Sequence, residues 1–405
     1  MDSLPRFQQD FYEGAFRIAD GAFFNGRVAA TTKSREAHWR SWRAYCLPVG
    51  VDPHLQRVTH EELVRHLTGF AGAVRQGAYG RGGKVRGGTV LTALSAVGKT
   101  IAMDKGIDPT KIPGQKDFIP AVKQMLDGFI RDDPPTMKKL PVEVDVPEWL
   151  MERGQKPEAT ALEAAVGCLT IMAFYYLLRV GEYTVKSSRN NTKRTVQFKM
   201  EDVVFFKRNK MGQLRQLGKN APDSEILTAD STTLKLDDQK NGHKGVCINH
   251  EANGDPIFCP NRAVAMRYVY IRARMKGDWK TNLSAYWDEH GTRRDVTDKD
   301  ISEGLKMAAT MLEYPETRGI PIERVDTHSL RGGGANALSL NGYSDMQIQK
   351  LGRWRGETFK EYIREELATF AEGMSKAMKK CLNYVVVSGG AFHELASDVA
   401  AMTLN

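Results

Sequence analysis

Thr327 to Ala335 reads THSLRGGGA, a histidine and an arginine three residues apart followed by three glycines. On a helix His328 and Arg331 share one edge, so a guanidinium can hold an oxyanion while an imidazole exchanges a proton beside it. Alone, such a pair is an ordinary surface feature. Two further stretches give it weight: LLRVGE, Leu177 to Glu182, and LGRWRGETFKEYIRE, Leu351 to Glu365. A tyrosine that attacks a phosphodiester needs cations on the phosphate oxygens and a proton donor for the leaving hydroxyl. Arg179, His328, Arg331 and Tyr362 supply that set in chain order, with Tyr362 34 residues after His328.

Composition points the same way. The chain has 405 residues, 41% of them hydrophobic, and a formal charge of +9. That length implies two or three domains, and the charge favours a polyanionic partner. Its distribution is uneven: no carboxylate stands between Glu62 and Asp104, where Arg65, Arg75, Arg81, Lys84, Arg86 and Lys99 all occur. A second acid-free stretch, FFKRNKMGQLRQLGK from Phe205 to Lys219, carries Lys207, Arg208 and Lys210. Two such stretches predict two surfaces facing one nucleic acid.

No secretory signal is read at the start, and the longest nearly apolar run, VGCLTIMAFYYLL from Val166 to Leu178, is too short to span a bilayer. No membrane partner is expected. The five cysteines, Cys46, Cys168, Cys247, Cys259 and Cys381, are odd in number and scattered, which argues against a disulfide framework. An intracellular location follows, the nucleus in a eukaryote and otherwise the cytoplasm or nucleoid.

Along the chain, residues 1–30 are polar and aromatic with glycine breaks and read as a loosely held arm. Residues 31–135 read as a small all-helical domain. Its helices are a stripe through Trp39, Trp42 and Cys46, one opened by the capping box Thr59 to Glu62, a third through Val90, Leu94, Val97 and Ile101, and a fourth over 118–130. Four prolines between Arg131 and Trp149 mark a linker, placed at 136–158. A second domain follows at 159–385, then a tail, 386–405. It opens with one long apolar helix, Ala159 to Val180, ending on Arg179. Asp202 to His250 is strand-like, with a hairpin around Lys240, and helices resume at 261–274, 298–313 and 329–340, with a capped helix from Ser344 to Gly352. The fold class is therefore mixed and mainly α, a helical N-terminal domain joined to an α+β domain with a small antiparallel sheet.

Two other patterns carry little. ALSAVGKT, Ala93 to Thr100, resembles a phosphate loop but lacks the first glycine and lies in a helical stripe. His243, Cys247, His250 and Cys259 have no zinc-finger spacing, and Cys247 and His250 fall on opposite faces of a strand. No metal site is assigned.

Residues 160 to 382 resemble the catalytic domain of the tyrosine recombinases, the phage-integrase family; LGRW and SLRGGG are most similar to recombinases carried by eukaryotic mobile elements. The helical region before them resembles that family's core-binding domain. The resemblance implies that Arg179 is the first catalytic arginine with Glu182 as its acidic partner. It further implies that Lys240 is the general acid for the leaving 5′ hydroxyl, with Lys235 and Lys244 as competitors, and that His328, Arg331 and Tyr362 complete the set. The family's usual histidine nine residues before the tyrosine is replaced by Arg353 here. Either Arg353 takes its place directly, or a one-residue deletion brings Trp354 into it.

The implied function is site-specific DNA recombination or integration through a 3′-phosphotyrosyl intermediate, without metal, ATP or other cofactor. Ile363, Leu367, Phe370, Met374, Met378 and Cys381 continue a helical apolar stripe. In the family such a tail helix docks on a neighbouring protomer, which implies a homo-oligomer on DNA, a tetramer. The alternative is a domesticated, catalytically inactive DNA-binding protein of the same fold. A monomeric relaxing topoisomerase and a zinc-stabilised scaffold are further readings.

Overall fold

The computed structural model describes residues 4–25, 29–80, 82–187, 196–236, 245–275 and 277–361. Five helices come first: α1 (Arg6–Asn25), α2 (Ala29–Cys46), α3 (His60–Arg75), α4 (Gly87–Lys105) and α5 (Pro120–Arg131). Helix α1 stands where a loose arm was expected. Single glycines cost a helix only about 1 kcal/mol each, and Phe7, Phe11 and Ile18 recur at helical spacing in spite of Gly14. All three remain exposed.

The other four helices enclose a core of Trp42, Leu67, Phe70, Leu94, Val97 and Val122. Trp42 is fully buried, and its indole N–H donates to the Pro53 carbonyl at 2.8 Å. The tryptophan stripe is thus core. At Thr59 the capping box forms: its hydroxyl accepts from the Glu62 amide at 3.2 Å, and its own amide donates to the Glu62 carboxylate at 2.8 Å. Ala93 to Thr100 lies inside α4, so no loop is available to cradle phosphate.

Within the expected linker, Asp145–Gln155 forms α6 and buries Val146, Leu150 and Met151. Pro147 sits in its first turn, where a missing N–H leaves no helical bond unmade. Helix α6 packs on α7 (Ala161–Tyr175), which is buried all round from Ala165 to Phe174. The single helix expected to run to Val180 stops at Tyr175 instead. Leu177 adopts a left-handed backbone, φ 48°, and a new short helix, α8 (Val180–Tyr183), starts just after Arg179.

A four-stranded antiparallel sheet follows, built from β1 (Val203–Arg208), β2 (Leu214–Gln216), β3 (Ser231–Leu236) and β4 (Val246–Glu251) in the order β2-β1-β3-β4. Helix α9 (Asp223–Leu227) lies between β2 and β3 in sequence. Leu236 pairs with Val246, so the hairpin predicted around Lys240 is present, and its connection carries that lysine. Then come α10 (Pro260–Arg272), a hairpin of β5 (Ala285–Trp287) and β6 (Arg293–Asp295), α11 (Asp298–Met311), α12 (Tyr314–Arg318), α13 (Thr327–Leu340) and α14 (Asp345–Gly352). The β5–β6 hairpin was not expected, because three residues per strand are too few for an alternating pattern to show. The whole is mainly helical with a small antiparallel sheet. Among the described residues no helix is long and apolar enough to cross a membrane. Cys46, Cys168, Cys247 and Cys259 are free thiols, and Cys381 lies outside the described residues.

Candidate active site

The turn that ends α7 presents Arg179. His250, on β4, lies against this turn: its Nε2 is 2.8 Å from the Tyr175 carbonyl and its ring meets Tyr176 edge to face. Burial lowers its pKa, so the imidazole sits there neutral. The histidine weighed as a zinc ligand therefore supports the C-terminus of α7. Among the described residues no cluster of His, Cys, Asp and Glu could hold a metal ion.

Beyond the turn Arg179 is extended and caps α8. Its amide donates to Glu182 Oε2 at 2.8 Å, and its guanidinium Nη1 donates to Oε1 at 3.1 Å. The Glu182 carboxylate is fully buried and receives a second guanidinium: Arg353 Nη2 donates to it at 3.1 Å and to the Leu177 carbonyl at 2.8 Å. One carboxylate thus serves two arginines and leaves a net positive charge. Burial pulls the Arg353 pKa down, opposed by Glu182 and reinforced by Arg179. Arginine nonetheless stays protonated in proteins.

Arg353 owes its reach to the end of α14. It takes a left-handed backbone, φ 58°, as the C-cap, which turns the chain back over the helix. The next ring, Trp354, folds onto Gly352, where any Cβ would overlap it. Arg331 lies over that tryptophan, its Cζ 4.3 Å from the ring centroid, a cation–π contact. Arg331 also donates from Nη2 to the Gly352 carbonyl. Gly352, Arg353 and Trp354 therefore bind both candidate arginines, Arg331 directly and Arg179 through Glu182.

Helix α13 sets the position of Arg331 and of His328, which is exposed one turn earlier. Asp326 caps it, accepting from the Thr327 amide at 2.7 Å. The glycines after Arg331 now have a reason. A Cβ on Gly333 would run into the Val142 carbonyl oxygen and the Phe174 ring, and one on Gly334 into the Phe174 carbonyl. They let α13 lie directly on α7 and on the incoming chain. Sequence reading found the helix but not this cause.

Lys240, Lys244 and Tyr362 lie outside the described residues, as does Arg81. Lys235 lies on β3, paired with Cys247 of β4. Arg75, expected to face phosphate, is turned inward instead. It is buried, its guanidinium donating to the Val85 carbonyl at 2.6 Å, to Asp133 and to the Phe129 carbonyl at 3.3 Å. Such a group has no face left for a phosphate. Arg86 is exposed but donates to the carbonyls of Pro134 and Pro135 at 3.1 and 3.3 Å. Lys207 and Arg208 are also engaged, with Asp230 at 3.8 Å and Glu251 at 2.9 Å. Lys84, Lys99 and Lys210 are exposed.

No protein-family model matches the chain, and no curated protein does. Among solved structures, the Tn1549 transposon integrase in complex with transposon right-end DNA is similar, at 12% identity over 89% of this chain and 98% of that one, with a TM-score of 0.43. XerH site-specific recombinase bound to a palindromic difH substrate gives 12% identity over 80% of this chain and 73% of that one, with a TM-score of 0.43. XerA recombinase gives 14% identity over 92% and 99%, with a TM-score of 0.35.

Proposed function

We propose that the chain cuts and rejoins double-stranded DNA as a tyrosine-type site-specific recombinase or integrase, of the kind carried by eukaryotic mobile elements. The observation that carries this is the convergence of Arg179, through Glu182, and of Arg331 on the three residues Gly352 to Trp354, eight to ten positions before Tyr362. That convergence brings Arg179, 152 positions before Arg331, together with two segments that stand 21 residues apart. An ordinary packing motif has no need of two guanidiniums there.

In this reading the Tyr362 phenol oxygen attacks phosphorus while its proton passes to His328. The bond to the 5′ oxygen breaks as Lys240 donates a proton to it, and the product is a 3′-phosphotyrosine. Arg179 and Arg331 hold the non-bridging oxygens as charge builds on them. The ester bond is conserved in the intermediate, so attack by a free 5′ hydroxyl reverses the step and no ATP is needed. Two fixed guanidiniums supply the positive charge that many nucleases take from metal ions, so no cofactor is assigned. Arg353 positions Arg179 through Glu182, and Trp354 supports Arg331. The chain acts as a homo-oligomer on DNA, a tetramer joined through the segment after Tyr362, and works where the DNA is, in the nucleus of a eukaryotic host and otherwise in the cytoplasm or nucleoid.

A suicide duplex whose 5′ fragment diffuses away should trap the protein on the 3′ side of a nick, in EDTA and without ATP. Tyr362→Phe should bind the same duplex with the same salt dependence and give no adduct. Binding to a genuine target without any adduct from the unmutated protein would favour the inactive DNA-binding alternative.

A further inference from the structure

The chain between the two units is tied down at both ends. On the first unit, the Asp133 carboxylate receives the buried Arg75 guanidinium and the Gly87 amide, the latter at 2.7 Å, while Arg86 holds the carbonyls of Pro134 and Pro135. On the second unit, the Leu140 amide donates to the Arg324 carbonyl at 3.0 Å, and the Val142 amide to the Ser329 carbonyl at 3.2 Å, within the first turn of α13. Lys139 reaches the Glu323 carbonyl at 2.8 Å and the Asp326 carboxylate at 3.6 Å. Asp326 is the cap of α13, so this lysine touches the start of the helix that carries His328 and Arg331.

Further along, the fully buried Tyr314 closes the second anchor. Its hydroxyl donates to Asp145 at 2.6 Å and accepts from the Glu143 amide at 3.0 Å. Arg318 lies over the Tyr314 ring and pairs with Asp145 at 2.5 Å and Glu143 at 3.0 Å. Between the anchors Met137 is 69% exposed. A segment fixed at both ends transmits displacement; one fixed at a single end only trails behind its domain.

We infer that residues 133–145 form a strap coupling the grip of the first unit on duplex DNA to the placement of His328 and Arg331, with Lys139, Asp145 and Arg318 as positioning residues. The inference rests on the strand-transfer reading given above. Docking the first unit on DNA fixes Asp133 and the two prolines after it, and the strap then holds the first turn of α13 at one depth against α7. Because Gly333 presents bare backbone to the Val142 carbonyl, a shift of the strap moves that helix directly.

Two variants test it in the full-length protein: a Gly-Ser-Gly-Ser insertion after Met137, which leaves every anchor intact, and Arg318→Met, which loosens the second anchor. At saturating suicide duplex both should slow adduct formation by about tenfold, a coupling of ordinary allosteric size, with Arg318→Lys recovering part of the loss. Amide hydrogen exchange over residues 327–335 gives a second readout that needs no catalysis. DNA should slow exchange there in the unmutated protein and fail to do so in the insertion variant. Insertion and Arg318→Met rates within about twofold of the unmutated rate would overturn the inference, as would DNA-dependent protection of α13 that survives the insertion. Absence of any adduct from the unmutated protein would instead sink the strand-transfer reading, leaving the exchange experiment to decide the strap.

Discussion

Arg353 and Trp354 were interchangeable in sequence, since a one-residue gap decides which lies at the expected spacing from Tyr362. Their side chains do different work. Arg353 donates to a carboxylate and a backbone carbonyl behind Arg179, while Trp354 presents its face to Arg331. A carboxylate buried between two guanidiniums is costly to lose, because removing it leaves two like charges side by side in a poorly hydrated place. Glu182→Gln should therefore destabilise the fold by about 3 to 5 kcal/mol in urea unfolding. Glu182→Gln combined with Arg353→Met removes one charge of each sign, and should cost less than the two single changes summed, by about 1 kcal/mol or more. Strict additivity would show that Arg353 is not bound to Glu182 in solution. Trp354→Ala leaves this pair untouched and should not enter the cycle.

At the level of elements, what could be read depended on whether the cause was local. Capping boxes at Thr59 and Ser344 are written in four consecutive residues, and both form. The β3–β4 hairpin is signalled by its own turn, and it pairs as expected. By contrast, nothing in the apolar run Val166 to Leu178 marks the break at Tyr175, which is set by Leu177 taking a left-handed backbone and by contacts to His250 and Arg353 far along the chain. Helix α6 was hidden by the prolines around it, and its burial depends on α7. The three glycines of α13 belong to this second kind. Their sequence suggests looseness, yet Gly333 and Gly334 lie where two other segments leave no room for a methyl group. Gly333→Ala should raise helix propensity and still destabilise the protein by about 1 to 3 kcal/mol, since the Val142 carbonyl or the Phe174 ring has to move. A stabilised variant in thermal unfolding would mean that α13 does not pack this closely.

Over the whole molecule, an excess of positive charge is legible from composition, but which cations face solvent is not. The stretch from Glu62 to Asp104 looks uniformly basic because a counter-charge for it, Asp133, stands 58 residues beyond Arg75 and meets it only in the folded chain. Arg75 then becomes a structural group, holding the end of α3, the loop before α4 and the start of the strap together. Hydrogen bonds from both neighbours keep the Asp133 carboxyl below its ordinary pKa, so the pair is intact at neutral pH. Lys84, Lys99 and Lys210 are left as solvent-facing cations, and phosphate contacts release counterions in proportion to their number. Each of these lysines that touches a phosphate should, on replacement by alanine, weaken binding to all duplexes alike and reduce the slope of log affinity against log salt by about one. Arg75→Met should leave that slope unchanged and lower the unfolding midpoint, because the charge it removes is buried against Asp133. A fall in salt slope for Arg75→Met, with the melting temperature unaltered, would show that this arginine leaves Asp133 to grip the backbone, and would return it to the binding surface that its sequence neighbourhood suggested.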